Sequence, residues 1–196
     1  QLQKDVLVGS MLGDGRLECR SQGIRHARTA RFRVHHGHKQ AAYCVWKYDV
    51  LKNMVDAPPR SIDRYDKRRD VIETSVYFHT KSLPELGSLH DYFYDGTIKI
   101  VPKNIGNLLT PQALAVWFMD DGSNNRSSFT LNTHSFTDEE QNYIRDFLLT
   151  KYDIHTTIIK DRTKYKLSLG VHEYPKFAHI ITPYIIPEME YKIASP

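Results

Sequence analysis

One short pattern occurs twice in this chain. Near the start it reads Leu7-Val8-Gly9-Ser10-Met11-Leu12-Gly13-Asp14-Gly15, and past the middle Leu114-Ala115-Val116-Trp117-Phe118-Met119-Asp120-Asp121-Gly122. Each copy is an apolar stretch closed by Asp-Gly, and Asp14 and Asp121 lie 107 positions apart. A duplication at that spacing dictates two like halves rather than one continuous pattern. Half one runs from about Asp5 to Gly106 and half two from about Thr110 to the end. This gives units of residues 1–106 and 107–196, joined by a linker over 101–109. If both stretches are helices, Gly15 and Gly122 fall at the C-terminal caps, where glycine is favoured. Asp14 and Asp121 then sit on the last turns, at the negative ends of the helix dipoles, where a carboxylate is disfavoured without a cation beside it. Packing the two helices side by side sharpens the conflict, and a divalent ion between the acids resolves it.

The segments between the motifs read in the same order in both halves. Arg31, Arg33 and His35 alternate with Ala30, Phe32 and Val34, the period of a half-buried strand; Arg16 to Arg20 alternates likewise, with Leu17 and Cys19 inward and Ser21–Thr29 as the hairpin tip. Lys39–Met54 reads as an amphipathic helix with Tyr43, Trp46, Val50 and Met54 along one stripe. Arg60–Tyr65 and Val71–His79 read as a second hairpin, and Ser82–Tyr94 as a helix. In half two, Thr110 and Pro111 are an N-cap and a first helical residue. Ser127–Thr133 reads as a strand, and Thr137 with Glu140 as a capping box for a helix to Tyr152. Ile154–Lys160 and Tyr165–His172 form a hairpin, with Tyr165, Leu167 and Leu169 on one side and Lys166 and Ser168 on the other. Tyr174–Tyr184 is helical.

Composition narrows the function classes. Hydrophobic content of 40% and aromatic content of 11% describe a globular chain. No run approaches the roughly 18 apolar residues of a membrane span, and no signal-peptide pattern is visible. Two cysteines, Cys19 and Cys44, give no disulfide framework, so a reducing, intracellular setting is expected. His35-His36-Gly37-His38 suggests zinc, but a second ligand cluster at zinc spacing is missing. There is no glycine-rich phosphate loop and no nucleophilic-serine signature.

The paired motifs resemble those of the single-chain LAGLIDADG homing endonucleases. Gly9, Gly13, Asp14 and Gly15 match the first copy, and Trp117 to Gly122 is similar to the subfamily whose second motif reads W-F-M-D-D-G. Leu131-Asn132-Thr133, Ser135-Phe136-Thr137 and the ending Tyr184–Lys192 extend the resemblance over nearly the whole chain. It implies an α+β fold: two pseudo-symmetric αββαββα repeats forming a saddle of curved antiparallel sheets, with the motif helices packed at its centre. It implies a monomeric, site-specific double-strand DNA endonuclease, encoded in a mobile intron and working in that intron's compartment (organelle matrix or stroma, or prokaryotic cytoplasm).

Hydrolysis of phosphodiesters suits paired divalent ions, and carboxylates suit Mg²⁺, with Mn²⁺ or Ca²⁺ able to take the same places. Asp14 and Asp121 are the expected metal-binding acids. The resemblance implies that backbone carbonyls of Gly13 and Asp120 add ligands, and that Lys99 and Lys192 orient water and offset transition-state charge. The Asp120 side chain stands where Gly13 stands in the first copy and receives no catalytic role. Val116 and Asp120 occupy the positions of Gly9 and Gly13, so the helices should not pack as perfect copies of each other.

Net charge is only +4, but its distribution is uneven: from Arg16 to Lys39 there are seven Lys or Arg against one acid, Glu18. With the duplicated acidic motif, the basic clusters point to DNA. The expected contacts are Arg16, Arg20, Arg31, Arg33, Arg60, Arg64, Lys160, Lys164 and Lys166, all on hairpins. The hairpin after Gly122 is much shorter than the one after Gly15, so half two should lean on its later hairpin. Two rival readings are an RNA maturase assisting its host intron and a non-cleaving DNA-binding regulator.

Overall fold

A computed structural model describes residues 1–19, 29–125 and 128–194. The chain runs α1 (Leu2–Leu12), β1 (Arg16–Cys19), β2 (Ala30–Gly37), α2 (Ala41–Leu51), β3 (Arg60–Asp66), β4 (Val71–His79) and α3 (Pro84–Phe93). A short pair, β5 (Tyr94–Asp95) and β6 (Ile98–Lys99), and a single turn, α4 (Ile105–Leu108), follow. Then come α5 (Pro111–Asp121), β7 (Gly122–Asn124), β8 (Ser128–Leu131), α6 (Asp138–Tyr152), β9 (Thr157–Asp161), β10 (Lys164–Gly170) and α7 (Tyr174–Ile181). The strands form two antiparallel sheets of identical topology, β1-β2-β4-β3 and β7-β8-β10-β9. The αββαββα order is therefore present twice. The small β5-β6 hairpin and the turn inside residues 101–109 are additions that composition did not signal. The expected hairpin tip at 21–28 lies outside the described residues.

α1 and α5 pack against each other at the centre, and that burial explains their composition. On α5 every side chain from Ala113 to Asp120 is buried, and on α1 the run from Asp5 to Leu12 is buried. Helices covered on all sides need apolar residues on all sides, not a stripe. Small residues set the closeness. A Cβ added to Gly9 would stand 2.7 Å from Val116 Cβ, and one added to Gly13 would stand 2.5 Å from Asp120 Cβ. Equivalent positions of the two motifs thus meet across the crossing. α5 lacks the glycines of α1, and its Val116 and Asp120 fill the room those glycines leave.

Local signals hold where a side chain satisfies backbone donors. Thr110 Oγ1 accepts from Ala113 N at 3.1 Å with Pro111 in the first turn, and Thr137 and Glu140 close a reciprocal capping box on α6. The α2 stripe differs from expectation. The buried face is Tyr43, Cys44, Lys47 and Leu51, whereas Trp46, Val50 and Met54 are only partly covered. The helix is rotated because Tyr43 and Lys47 reach under the end of α5.

Candidate active centre at the helix ends

α1 ends two residues earlier than its glycines suggest. Leu12 is the last helical residue, and Gly13 N donates to Gly9 O at 3.2 Å and to Ser10 O at 3.1 Å. Asp14 therefore stands just past the helix rather than on its last turn, while Asp121 is the last residue of α5. Gly122 caps α5 with φ −76° and ψ 148°, an extended conformation open to any residue. Glycine is needed here for close approach instead. A Cβ on Gly15 would lie 2.6 Å from Ser10 O and 2.8 Å from the Phe32 ring.

The two chain turns bring Asp14 and Asp121 onto the wall of one cavity, with Gly13, Gly15, Arg16, Tyr94, Lys99, Asn132, His134 and Ser135. The acids oppose each other electrically. Burial and then the negative charges of Asp14 and Asp120 push the Asp121 carboxyl up to about 7, against the pull of Lys99 and Lys192. Asp14 opens to solvent at the cavity mouth, yet its recessed carboxyl is also raised, by desolvation first and Asp120 second. Two ionisable oxygens pairs that resist losing their protons, facing one space, form an anionic seat that a small dication satisfies.

Two lysines stand behind the acids, one per helix. Lys99 Nζ donates to Gly13 O at 2.8 Å and Gly15 O at 2.9 Å. Lys192 Nζ donates to Met119 O at 2.5 Å, Asp120 O at 3.2 Å and Phe118 O at 3.5 Å. Each ammonium neutralises the negative end of its own motif helix. Burial lowers both lysines, and the neighbouring acids pull them back up. The carbonyls of Gly13 and Asp120, expected as metal ligands, accept lysine hydrogen bonds here, which leaves each oxygen its second lone pair.

The Asp120 side chain points away from solvent, into the seam between the halves. Its carboxylate is fully buried and accepts from Lys47 Nζ at 2.6 Å. Lys47 also donates to His36 Nε2 at 3.3 Å. Burial and then Lys47 drive His36 down to about 4, so at neutral pH its ring is uncharged and takes this hydrogen bond as an acceptor. Burial alone would raise Asp120, but the Lys47 ammonium, with hydrogen bonds from Lys47 and Tyr43, outweighs it and holds the acid below its usual range. Lys47 and His36 were not legible as site residues. A lysine three residues after Cys44 reads as a surface residue until its partner on another helix is known. His134, whose Nε2 lies 3.2 Å from Asp161 Oδ2, and Tyr94, whose hydroxyl accepts from Leu17 N at 3.3 Å, are further wall residues that spacing did not mark.

The strand register fixes which basic residues share a face. Arg16 pairs with Arg33, Arg33 with His79, Arg60 with Tyr77 and Arg64 with Glu73. With Arg31 and His35 these lie on the outer face of the first sheet, opposite the buried Phe32, Val34 and Phe78. Glu18 sits among them, bonded to Arg31 at 2.7 Å and Arg33 at 3.4 Å. On the second sheet Lys164 and Lys166 face outward, Lys166 paired with Asp161 at 2.8 Å. Lys160 takes the other phase. It pairs with Tyr165 and shares its face with Ile158, so it lies on the helix-covered side of the sheet, at the exposed tip. Arg20 lies outside the described residues. No helix among the described residues is long and apolar enough to cross a membrane.

The family described as the LAGLIDADG DNA endonuclease family matches residues 4–177. The chain is 32% identical over 212 residues to DNA endonuclease I-ChuI of Chlamydomonas applanata, covering 99% of this chain and 95% of that protein. It is 28% identical to the cytochrome b mRNA maturase bI2 of Saccharomyces cerevisiae, over 97% of this chain but only 47% of that protein. Among solved structures, the homing endonuclease I-WcaI bound to its DNA recognition sequence superposes with a TM-score of 0.90 at 25% identity, covering 100% of this chain and 87% of that one.

Proposed function

Because the chain belongs to the LAGLIDADG DNA endonuclease family, we propose that it cuts both strands of one specific DNA site, with Asp14 and Asp121 as the metal-binding acids of two quasi-symmetric centres. The observation that carries this reading is the meeting of two carboxylates from distant motifs on one cavity wall, each held above its usual range. That seat fits Mg²⁺, with Gly13 O and Asp120 O as further oxygen donors. Bound there, the ion supplies a low-pKa water and charge neutralisation at phosphorus. The protein's own residues do the rest. Lys99 and Lys192 carry positive charge to the two helix ends, where they offset negative charge gathering on the phosphate. Tyr94 and His134 narrow the cavity beside the acids.

The outer sheet faces take the duplex. Arg16, Arg31, Arg33, Arg60 and Arg64 on one side, and Lys164 and Lys166 on the other, meet phosphates and base edges; arginine forks can pair bidentately with guanine. The two halves divide near residues 106 and 107 and act together as a monomer, since α1 and α5 supply each other's packing partner. The protein works where its host intron resides. Cleavage of a randomised plasmid library in Mg²⁺ tests the whole reading. One recurrent cut site is expected, abolished by Asp14→Asn with Asp121→Asn. A folded wild-type protein that cuts no library member overturns it. The similarity to the yeast maturase supports a second activity in splicing, and the same double variant should then still promote splicing of its intron.

A further inference from the structure

The two halves break their own symmetry at two buried places, and the breaks touch each other. Arg33 and Thr130 hold equivalent register positions, since they pair with Arg16 and Ser123, each the second residue after a motif aspartate. Counting on, His36 corresponds to Thr133, Cys44 to Gln141, Lys47 to Ile144 and Leu51 to Leu148. All eight are buried, which supports the correspondence. Half two fills its pair neutrally: Thr133 Oγ1 bonds Gln141 Oε1 at 2.9 Å, with Ile144 beside them. Half one instead buries an ammonium, Lys47. Its partner is not in half one but is Asp120 of half two, whose own counterpart is Gly13. A charge that only half one carries thus meets a charge that only half two carries.

Asp120 is half satisfied. Oδ1 takes the Lys47 hydrogen bond, while Oδ2 is buried without a close partner; the Tyr43 hydroxyl beside the carboxylate donates to Val116 O at 3.2 Å and bonds the acid only weakly. That free oxygen lies against Gly13; a Cβ there would be 3.1 Å from it. Asp14 follows directly, and Asp121 is the next residue along α5. A third carboxylate therefore stands immediately behind the two on the cavity wall, with an oxygen unspent. Carboxylates are the ligands that Mg²⁺ and Mn²⁺ prefer, and an unclamped one would compete for the ion.

We propose that Lys47 is a positioning residue that clamps Asp120 inside the seam and keeps this third carboxylate out of the cation seat made by Asp14 and Asp121. Lys47 touches neither DNA nor ion. It acts through Asp120, and the pair is a device of the single-chain arrangement, because neither half holds both members. The proposal rests on the endonuclease reading for its effect on cutting, but its first measurement needs no DNA.

The test is a double-mutant cycle on the full chain, with Lys47→Met, Asp120→Asn and both together. Mn²⁺ is titrated by electron paramagnetic resonance at a temperature where circular dichroism shows each variant folded. Lys47→Met should bind Mn²⁺ at least tenfold more tightly than wild type, or bind one ion more, because Asp120 joins the seat. The double variant should return to wild-type binding, since it removes the competitor along with the clamp. Cutting of the library-selected target should follow the same order: at least tenfold slower in Lys47→Met than in wild type, and at least threefold faster in the double variant than in Lys47→Met. If Lys47→Met is too unstable to titrate, recovery of cutting in the double variant relative to Asp120→Asn alone, whose lysine is left unpaired, carries the test. Unchanged Mn²⁺ binding in folded Lys47→Met overturns the proposal, as does a folded double variant no better than the worse single. Wild-type protein that binds Mn²⁺ but cuts nothing would strike the endonuclease reading and leave the binding comparison standing.

Discussion

The outer faces of the two sheets have the same strand order but different chemistry. The first presents Arg16, Arg31, Arg33, Arg60 and Arg64, with His35 and His79 between them. The second presents Ser128, Thr157 and Ser168, with Lys164 and Lys166 toward the β9–β10 turn, while Thr130 in the same phase is buried. Guanidinium forks bind phosphate and guanine through charge and fixed geometry, whereas hydroxyls donate or accept with little charge at all. Acids temper both faces, Glu18 among the arginines and Asp161 beside Lys166. A duplicated fold has therefore kept its frame and changed its surface: half one carries most of the guanidinium charge on its outer face, half two more of the hydroxyls. The centre between them is the part kept most nearly equal, with one acid and one lysine from each side.

Equality at the centre is the comparison's most exposed point. Asp14→Asn and Asp121→Asn should each lower cutting of the target by roughly 10³-fold or more, the scale of losing transition-state charge stabilisation, while leaving affinity for the duplex in Ca²⁺ within about threefold. Single-turnover cleavage and a binding titration measure both. A variant of either acid that cuts at near wild-type rate would show that one half alone carries the chemistry.

The acids also give a pH signature of two opposite signs. Asp121 is raised from 3.8 to about 7 in the folded protein, so the folded state holds its proton more tightly than the unfolded state. Without metal, this acid makes stability rise as pH falls from about 7 toward 4, and fall as pH rises through that window. Asp120 is lowered instead, so its contribution is present above its ordinary value and disappears as pH drops below it. Mg²⁺ favours the ionised Asp14–Asp121 pair and should raise the Tm more at about pH 8 than at about pH 5.5. Thermal melts with and without Mg²⁺ at both pH values check it; an equal shift at both would mean that the ion does not sit against Asp121.

The unequal faces can be weighed against each other by salt. Arg60→Ala with Arg64→Ala should flatten the dependence of log K on log salt by about two contacts' worth, and Lys164→Ala with Lys166→Ala by less, because Lys166 already spends charge on Asp161. Lys160→Ala should change it least, since its strand phase turns it from the outer face. A larger effect at Lys160 than at Arg60 would reverse the assignment of faces.

Much of this was readable in advance, and the failures have definite causes. The motif pair, the caps at Thr110 and Thr137 and the alternation of β2 are local patterns, set by residues a few positions apart. Lys47 was invisible because Tyr43, Trp46, Val50 and Met54 make as good a helical stripe as Tyr43, Cys44, Lys47 and Leu51. Only Asp120, on another helix, decides between them. The face of Lys160 was not legible because β9 is short and its phase is fixed by pairing with β10, and a strand shifted by one residue turns every side chain over. Gly122 does cap its helix while Gly15 lies two residues past the cap of its own, and at both the demand for glycine comes from a neighbouring backbone or ring rather than from φ. Each miss is a contact across the fold.

The smallest predicted difference concerns the two helices that back the sheets. α6 begins with a full capping box, Thr137 Oγ1 accepting from Glu140 N at 3.2 Å while Glu140 returns a bond to Thr137 N at 2.8 Å. α2 begins at Gln40 with no side-chain cap bond and is entered through a short 3-10 turn, His38–Gln40. Glu140 does more than cap: its other oxygen accepts from Val101 N at 2.7 Å, tying the helix start to the linker. Thr137→Ala should therefore cost about 1 kcal/mol of unfolding free energy, and Glu140→Ala more, because it releases both the cap and the linker. Gln40→Ala should cost less than either, since it removes no cap and only the side-chain bonds to Tyr191 and His36. Urea unfolding of the three variants orders them. Equal losses at Thr137 and Glu140 would mean that the linker bond adds nothing, and that residues 101–109 are held by their apolar contacts alone.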